Sequence, residues 1–171
     1  GSLDAENRVD STFASIGVSI AAYERSVEVS PFRSKFDDFW HAAKARGLDV
    51  AKINVSTAGN FANLGLSPAE LDGLVLFATK AMCVECHTLA SGNGMPPAFT
   101  DYGYDNLGVP KNPDNPFYRQ GKVYNPDGAN WVDKGLGDWF DRTVGSKRFA
   151  SLNYGRFKVP TLRNVDLRPS P

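Results

Sequence analysis

Side chains that bind metals or carry redox chemistry are scarce in this 171-residue sequence, which has two cysteines, two histidines and two methionines. Charge of one sign is also missing, because Lys plus Arg and Asp plus Glu both number 19. A chain with no net charge has no field to attract nucleic acid or an acidic membrane surface. No run of about 18 apolar residues is present, so we expect no membrane span.

Apolar residues are plentiful, at 42% of the chain, which is enough for the core of one domain with or without an extension. Two helices are predicted near the start. The first is capped by Asp10 and has apolar positions at helical spacing: Phe13, Ile16, Ile20, Tyr23 and Val27. The second has Pro31 in its first turn, ends near Gly47 and buries Phe32, Phe36, Phe39, Trp40 and Ala43.

A third helix is predicted from a local signal at its start. Ser67 is a candidate N-cap, Pro68 suits the first turn, and Glu70 completes a capping box. Its apolar positions, Leu71, Leu74, Val75, Ala78 and Met82, lead to the two cysteines. We therefore expect this helix to run directly into the cysteine motif.

Residues 91–137 have a different composition, with eight of the 16 glycines and six of the 11 prolines. This composition disfavours regular helix and sheet, yet disordered tracts are poor in aromatic residues and this one is rich in them. We expect a long loop rich in aromatic residues to pack around an apolar group, and a flat cofactor would be such a group. A shorter helix capped by Asp138 is expected next, and the class is mainly α with long irregular loops.

The run Cys83-Val84-Glu85-Cys86-His87 has the spacing of a c-type haem attachment site. Two thiols one helical turn apart can add to the two vinyl groups of one haem. The next residue, His87, then lies under the iron and provides an imidazole ligand. Because haem is attached covalently outside the cytoplasm, we expect a periplasmic or cell-surface location.

Three other uses of this motif remain open but are less favoured. A structural zinc site takes four ligands, and His41 is the one other histidine or cysteine in the chain. A thioredoxin-like dithiol expects a strand before the cysteines rather than a helix. A disulfide across so short a loop stabilises little and leaves His87 unexplained.

The surroundings of the iron are only partly defined by the sequence. His87 should donate from its second ring nitrogen to a backbone carbonyl, for which those near Pro96 and Pro97 are candidates. A second axial ligand would have to be Met82, Met95 or His41, and none of the three is well placed.

Several segments together resemble the C-terminal haem region of di-haem bacterial cytochrome c peroxidases and the related tryptophan-modifying enzymes of methylamine utilisation. They are LSPAELDGLVLFATKAMCVECH, FTDYGYDNLGVPKNP and FKVPTLRNV, preceded by IAAYERSVEVSPFRSKFDDFW. The resemblance implies a cytochrome c-like haem domain over residues 61–171, incomplete at its C-terminus. Residues 1–60 would be a helical remainder of the N-terminal domain and linker.

The resemblance also implies site residues and partners. The loop from Phe99 to Pro110, with the rings of Phe99 and Tyr104, would form part of the haem wall; the alternative is that both rings are ordinary core aromatics. Arg163 would lie near the haem propionates; the alternative is an ordinary surface arginine. A calcium ion between the two haems would bind the carbonyls of Lys158 and Pro160, with a further ligand from an absent domain. This chain alone is therefore not expected to hold the ion.

The implied function is electron transfer through one covalent haem c, to a peroxidatic haem on a missing N-terminal domain or fragment. The electron donor would be a small redox protein. The alternatives are a stand-alone mono-haem carrier without catalysis, and a haem with an open face that binds peroxide or small ligands directly. The distal iron ligand is expected beyond Pro171.

Overall fold

The structure, a computed structural model, describes the backbone of residues 2–92 and 94–167 and the side chains from residue 7 onward in those ranges. Within them the chain is mainly helical with two very short strands, which confirms the predicted mainly α class. None of the helices described is both long enough and apolar enough to cross a bilayer.

Five α-helices and two strands form the regular framework of the described residues. The helices are α1 Ser2–Glu24, α2 Lys35–Ala45, α3 Pro68–Ala78, α4 Leu136–Arg142 and α5 Ala150–Asn153. The strands are β1 Tyr104–Asp105 and β2 Phe157–Lys158, which pair antiparallel. Single turns of 3-10 helix occur at Val50–Lys52, Ala58–Phe61, Cys83–Glu85, Pro116–Arg119, Gly128–Asn130, Lys147–Phe149 and Val165–Leu167.

The chain divides into two compact units, and the division lies inside α3. The first unit comprises Gly1–Val75 with Gly94–Pro96, and the second comprises Leu76–Asn93 with Pro97–Pro171. The cysteine motif belongs to the second unit, together with both strands, α4 and α5.

The core of the first unit is built on α2. Ser34 caps this helix and exchanges hydrogen bonds with Asp37, so the helix begins at Lys35 and not at Pro31 as predicted. The buried apolar side chains are Phe39, Trp40, Ala43, Val50, Ile53, Phe61, Leu64, Leu71, Leu74 and Val75. Phe39 is fully buried, and its ring centroid lies 6.1 Å from that of Phe61.

The first predicted helix is present but longer than expected. It begins by Ser2, so Asp10 lies in its interior and is not its cap. Its apolar positions do not join the core, since Phe13 is 77% exposed and its neighbours on that face are also exposed.

The capping box predicted at the start of α3 is confirmed. Glu70 accepts a hydrogen bond from the backbone N–H of Ser67 at 2.7 Å, and the Ser67 hydroxyl accepts one from the Glu70 N–H at 3.3 Å. Lys35 adds an ion pair to the same carboxylate. Together these contacts hold the pKa of Glu70 at about 2, with the hydrogen bond from Lys35 as the largest cause.

The end of α3 corrects the sequence prediction. The helix stops at Ala78, where Ala81 donates back to the Leu76 carbonyl and Met82 turns the chain with a left-handed φ of 56°. The cysteines therefore lie after the helix, on a separate turn. Met82 is 65% exposed and is not a core residue.

The second unit is largely irregular between the motif and α4, as its glycine and proline content predicts. Gly135, not Asp138, occupies the N-cap position of α4. Asp138 lies inside the helix, where it pairs with Arg142 at 2.8 Å. The placement of β2 opposite β1 brings the last part of the chain back to the segment that follows the cysteines.

The low pKa of Glu70 predicts how stability depends on pH. A carboxyl whose folded pKa is about 2 and whose ordinary value is 4.5 stabilises the fold above pH 4.5, and this contribution disappears as the pH falls toward 2. Glu70→Gln should lower stability at neutral pH and flatten its loss between about pH 5 and pH 2. Urea unfolding at a series of pH values measures this.

Asp72→Asn is the matched control, because Asp72 is an exposed carboxylate on the same helix. It should reproduce the pH dependence of the unsubstituted protein. Parallel pH profiles for Glu70→Gln and the unsubstituted protein would contradict the expected role of Glu70.

Candidate haem attachment site

The cysteine motif forms one tight turn that brings its functional side chains together. Residues Cys83–Glu85 make a 3-10 turn, and the Cys86 N–H donates to the Cys83 carbonyl at 3.4 Å. The His87 N–H donates to the same carbonyl at 2.9 Å. One helical turn therefore separates the two thiols, with the imidazole directly after the second, as tethering to one haem requires.

Three contacts attach this turn to residues 99–105. His87 Nδ1 lies 2.9 Å from the carbonyl oxygen of Phe99. The Asp101 N–H donates to the Cys86 carbonyl at 3.0 Å, and the Cys86 thiol donates to the Asp105 carboxylate at 3.4 Å. Main-chain and side-chain contacts thus both link the cysteine motif to residues 99–105.

The partner of His87 differs from the prediction. The Pro97 carbonyl instead accepts from Nε and Nη2 of Arg163, at 3.0 and 2.8 Å. The carbonyls near Pro96 and Pro97 were therefore the wrong candidates, and Phe99 fills the role two residues later. A carbonyl only accepts, so Nδ1 carries the proton and Nε2 is the ring nitrogen left for a ligand.

Phe99 reaches His87 through a backbone conformation that is uncommon for an aromatic residue. Its φ is 55°, in the left-handed region that side chains other than glycine rarely adopt. Its ring lies edge-on to Phe77, with centroids 6.1 Å apart, and the Arg163 guanidinium carbon lies 5.8 Å from the ring centre. The half-buried ring is thus held from two sides.

The end of the chain supports this loop through long-range contacts. The Thr100 hydroxyl donates to the Val159 carbonyl at 2.7 Å, and the Val159 N–H donates to the Gly103 carbonyl at 2.9 Å. The Thr161 hydroxyl donates to the Ala98 carbonyl at 2.5 Å. Thr100 and Thr161 were missed by sequence reasoning, because a threonine that binds a carbonyl some 60 residues away has no local signal.

Asp105 is the other functional residue that sequence reasoning missed. Its hydrogen bond raises the pKa of the Cys86 thiol above the ordinary 9.0, and burial and the charges of Asp105, Asp101 and Glu85 raise it further. Cys83 has a weaker contact, with its sulfur 3.7 Å from the Ala81 carbonyl oxygen. Both cysteines are half-buried free thiols. The two predicted tethers therefore have different electrostatic environments.

The remaining site residues proposed from the resemblance lie in or beside the two strands. Tyr104 is 40% exposed and pairs with Lys158 across the strands. The Lys158 ammonium lies over the ring of Tyr102, and Pro160 is exposed. Calcium takes six to eight oxygen ligands, and the described residues include no cluster of acidic side chains that could complete such a site around these two carbonyls.

The three candidates for the distal iron ligand are divided between the two units. Met95 and His41 belong to the first unit, and His41 lies edge-on to Trp40 with ring centroids 5.0 Å apart. Met82 belongs to the second unit but is mostly exposed on the turn before Cys83.

Cys83, Cys86 and His87 lie on one turn, with two free thiols and an imidazole whose Nδ1 lies 2.9 Å from a backbone carbonyl. Two reduced thiols on one turn and an imidazole oriented through Nδ1 are the protein groups that haem attachment uses. Within the described ranges, no three or more His, Cys, Asp or Glu side chains are grouped so as to hold a metal ion.

Comparisons of this protein with known families, characterised proteins and solved structures find no match. A functional assignment therefore depends on the chemistry of Cys83, Cys86 and His87 and on the residues that hold them.

The contact between Asp105 and Cys86 predicts a difference in thiol reactivity. In the chain without haem, Asp105→Asn should lower the pKa of Cys86 toward its ordinary value, because the carboxylate that stabilises the neutral thiol is gone. More thiolate at pH 8 should make alkylation of Cys86 by iodoacetamide several-fold faster. Mass spectrometry of the peptide that contains both cysteines measures the rate at each site.

Asp114→Asn is the control, because Asp114 is an exposed aspartate that is not among the charges acting on Cys86. It should leave the Cys86 rate unchanged. Equal Cys86 rates in Asp105→Asn and the unsubstituted chain would contradict the hydrogen bond.

Proposed function

We propose that this chain is a c-type haem electron-transfer domain, part of an oxidoreductase that resembles the di-haem cytochrome c peroxidases. The observation that carries the proposal is the geometry of His87. Its Nδ1 proton is held by the Phe99 carbonyl at 2.9 Å, while the two thiols precede it on the same turn. This combination provides an oriented imidazole beside two covalent tethers.

Each residue of the site has a distinct role in this proposal. Cys83 and Cys86 tether the cofactor, and His87 supplies Nε2 as the proximal ligand. The bound haem supplies an iron that accepts and releases one electron at a time. The carbonyl of Phe99 orients the imidazole of His87. The ring of Phe99 would form part of the haem wall together with Tyr104.

Arg163 combines two roles in the proposed site. Its guanidinium holds the Pro97 carbonyl, which fixes the start of the loop that carries Phe99. The same positively charged guanidinium would face the haem propionates. Lys158 and Pro160 would contribute carbonyls to calcium only together with ligands from another domain.

The location and partners of the chain follow from the same proposal. Covalent haem attachment implies a periplasmic or cell-surface protein. Electrons would enter from a small redox protein and leave to a second haem on a further domain or fragment.

The presence of a single Cys-x-x-Cys-His motif in the chain favours a second candidate, a mono-haem carrier or subunit without catalysis. The sequence of the parent gene separates the two. A second such motif upstream would support the di-haem enzyme, and a parent gene with no second motif would support the carrier.

Covalent haem is the first property to test. The chain should be produced together with a cytochrome c maturation system and examined by denaturing gel with haem staining. The unsubstituted chain should stain, and the double variant Cys83→Ala with Cys86→Ala should lose the stain completely, because no thioether can form. His41→Ala is the control and should stain normally, because a histidine forms no thioether with haem and both cysteines remain.

Absence of stain in the unsubstituted chain would reject the haem proposal, provided that a known c-type cytochrome stains in the same system. Stain retained in the double variant would show that the cofactor is not held by these cysteines. The spectrum of the reduced, haem-loaded chain with carbon monoxide then separates electron transfer from ligand binding. A six-coordinate spectrum that carbon monoxide does not change would reject direct small-ligand binding.

A further inference from the structure

A carboxylate lies directly beside one of the two proposed haem tethers. The Oδ2 atom of Asp105 is 3.4 Å from the sulfur of Cys86, and both residues are half-buried. The other tether, Cys83, contacts a neutral carbonyl at 3.7 Å instead. The two sides of the proposed haem attachment are therefore electrostatically unequal.

The chemistry of attachment changes what Asp105 contacts. A thiol adds across the vinyl double bond, so that the sulfur bonds to one vinyl carbon and the thiol hydrogen goes to the other. Atoms and electrons balance without an oxidant or reductant. The product is a thioether with no S–H group, so the carboxylate loses this donor while it stays next to the cofactor.

We propose that the negative charge of Asp105, whose carboxylate lies beside the sulfur of Cys86, lowers the reduction potential of the attached haem. This inference rests on the proposed function. A nearby negative charge stabilises the ferric state, which carries one more positive charge than the ferrous state. Asp105 would thus make the haem a better electron donor, as suits a domain that passes electrons onward.

Asp105 is better placed for this effect than the other acidic residues near the motif. Glu85 and Asp101 also act on Cys86 through their charges, but both are exposed. Exposed charges are screened strongly by water and salt, whereas a half-buried charge is screened less. The pairing of Asp105 with Phe157 across the strands also fixes its backbone next to the motif.

The reduction potential of the haem-loaded chain tests the inference. Spectroelectrochemical titration should give a higher midpoint potential for Asp105→Asn than for the unsubstituted protein. Asp105→Ser, a second uncharged side chain, should shift it in the same direction. Asp105→Glu keeps the charge and should stay close to the unsubstituted value, and Asp114→Asn should not shift.

The dependence of the midpoint potentials on ionic strength distinguishes an effect of the Asp105 charge from a purely structural effect. The difference between the unsubstituted protein and Asp105→Asn should shrink as ionic strength rises, because salt screens the missing charge. Glu85→Gln and Asp101→Asn should each raise the potential by less than Asp105→Asn.

The outcomes distinguish this inference from the function on which it rests. If haem is attached but the midpoint potentials of both uncharged variants equal that of the unsubstituted protein, the inference is overturned and the electron-transfer proposal stands. A shift equally large in Asp105→Glu would also overturn it, because a change of shape rather than of charge would then be responsible. If the unsubstituted chain takes up no haem, both fail together.

Discussion

The hydrogen bond between His87 Nδ1 and the Phe99 carbonyl is the interaction on which the rest of the site depends. It fixes the proton on Nδ1 and orients the ring, so that Nε2 is the nitrogen available to a ligand. Without it the imidazole could rotate about its side-chain bonds, and the two thiols alone would not define an axial position. The conformation of Phe99 is therefore as important to the site as the motif itself.

That conformation is maintained by residues far away in sequence. Three segments meet at the loop after the motif: the motif itself, residues 97–105 and residues 157–163. Thr100, Thr161 and Arg163 each bridge the last two through hydrogen bonds that span 59 to 66 residues. A chain that ended before β2 would lose all three bridges, and with them the contacts that hold Pro97, Ala98 and Thr100 on either side of Phe99.

The predictability of these features follows from how local their signals are. The capping box of Ser67 and Glu70 depends on residues three apart, and it was predicted correctly. The left-handed turn at Met82, which lies between α3 and the cysteines, has no glycine to indicate it. The contacts of Phe99 with His87 and of Asp105 with Cys86 cross loops of 12 and 19 residues, over which sequence spacing does not determine distance.

Met82 before the motif and Phe99 after it are among the non-glycine residues with left-handed conformations, with φ of 56° and 55°. Each costs on the order of 1–3 kcal/mol and persists only where surrounding contacts outweigh it. For Phe99 those contacts include the ring of Phe77 and the hydrogen bond from His87. The hydrogen bond that helps to offset this cost is the same one that orients His87, so the backbone conformation of Phe99 and the position of the imidazole depend on each other.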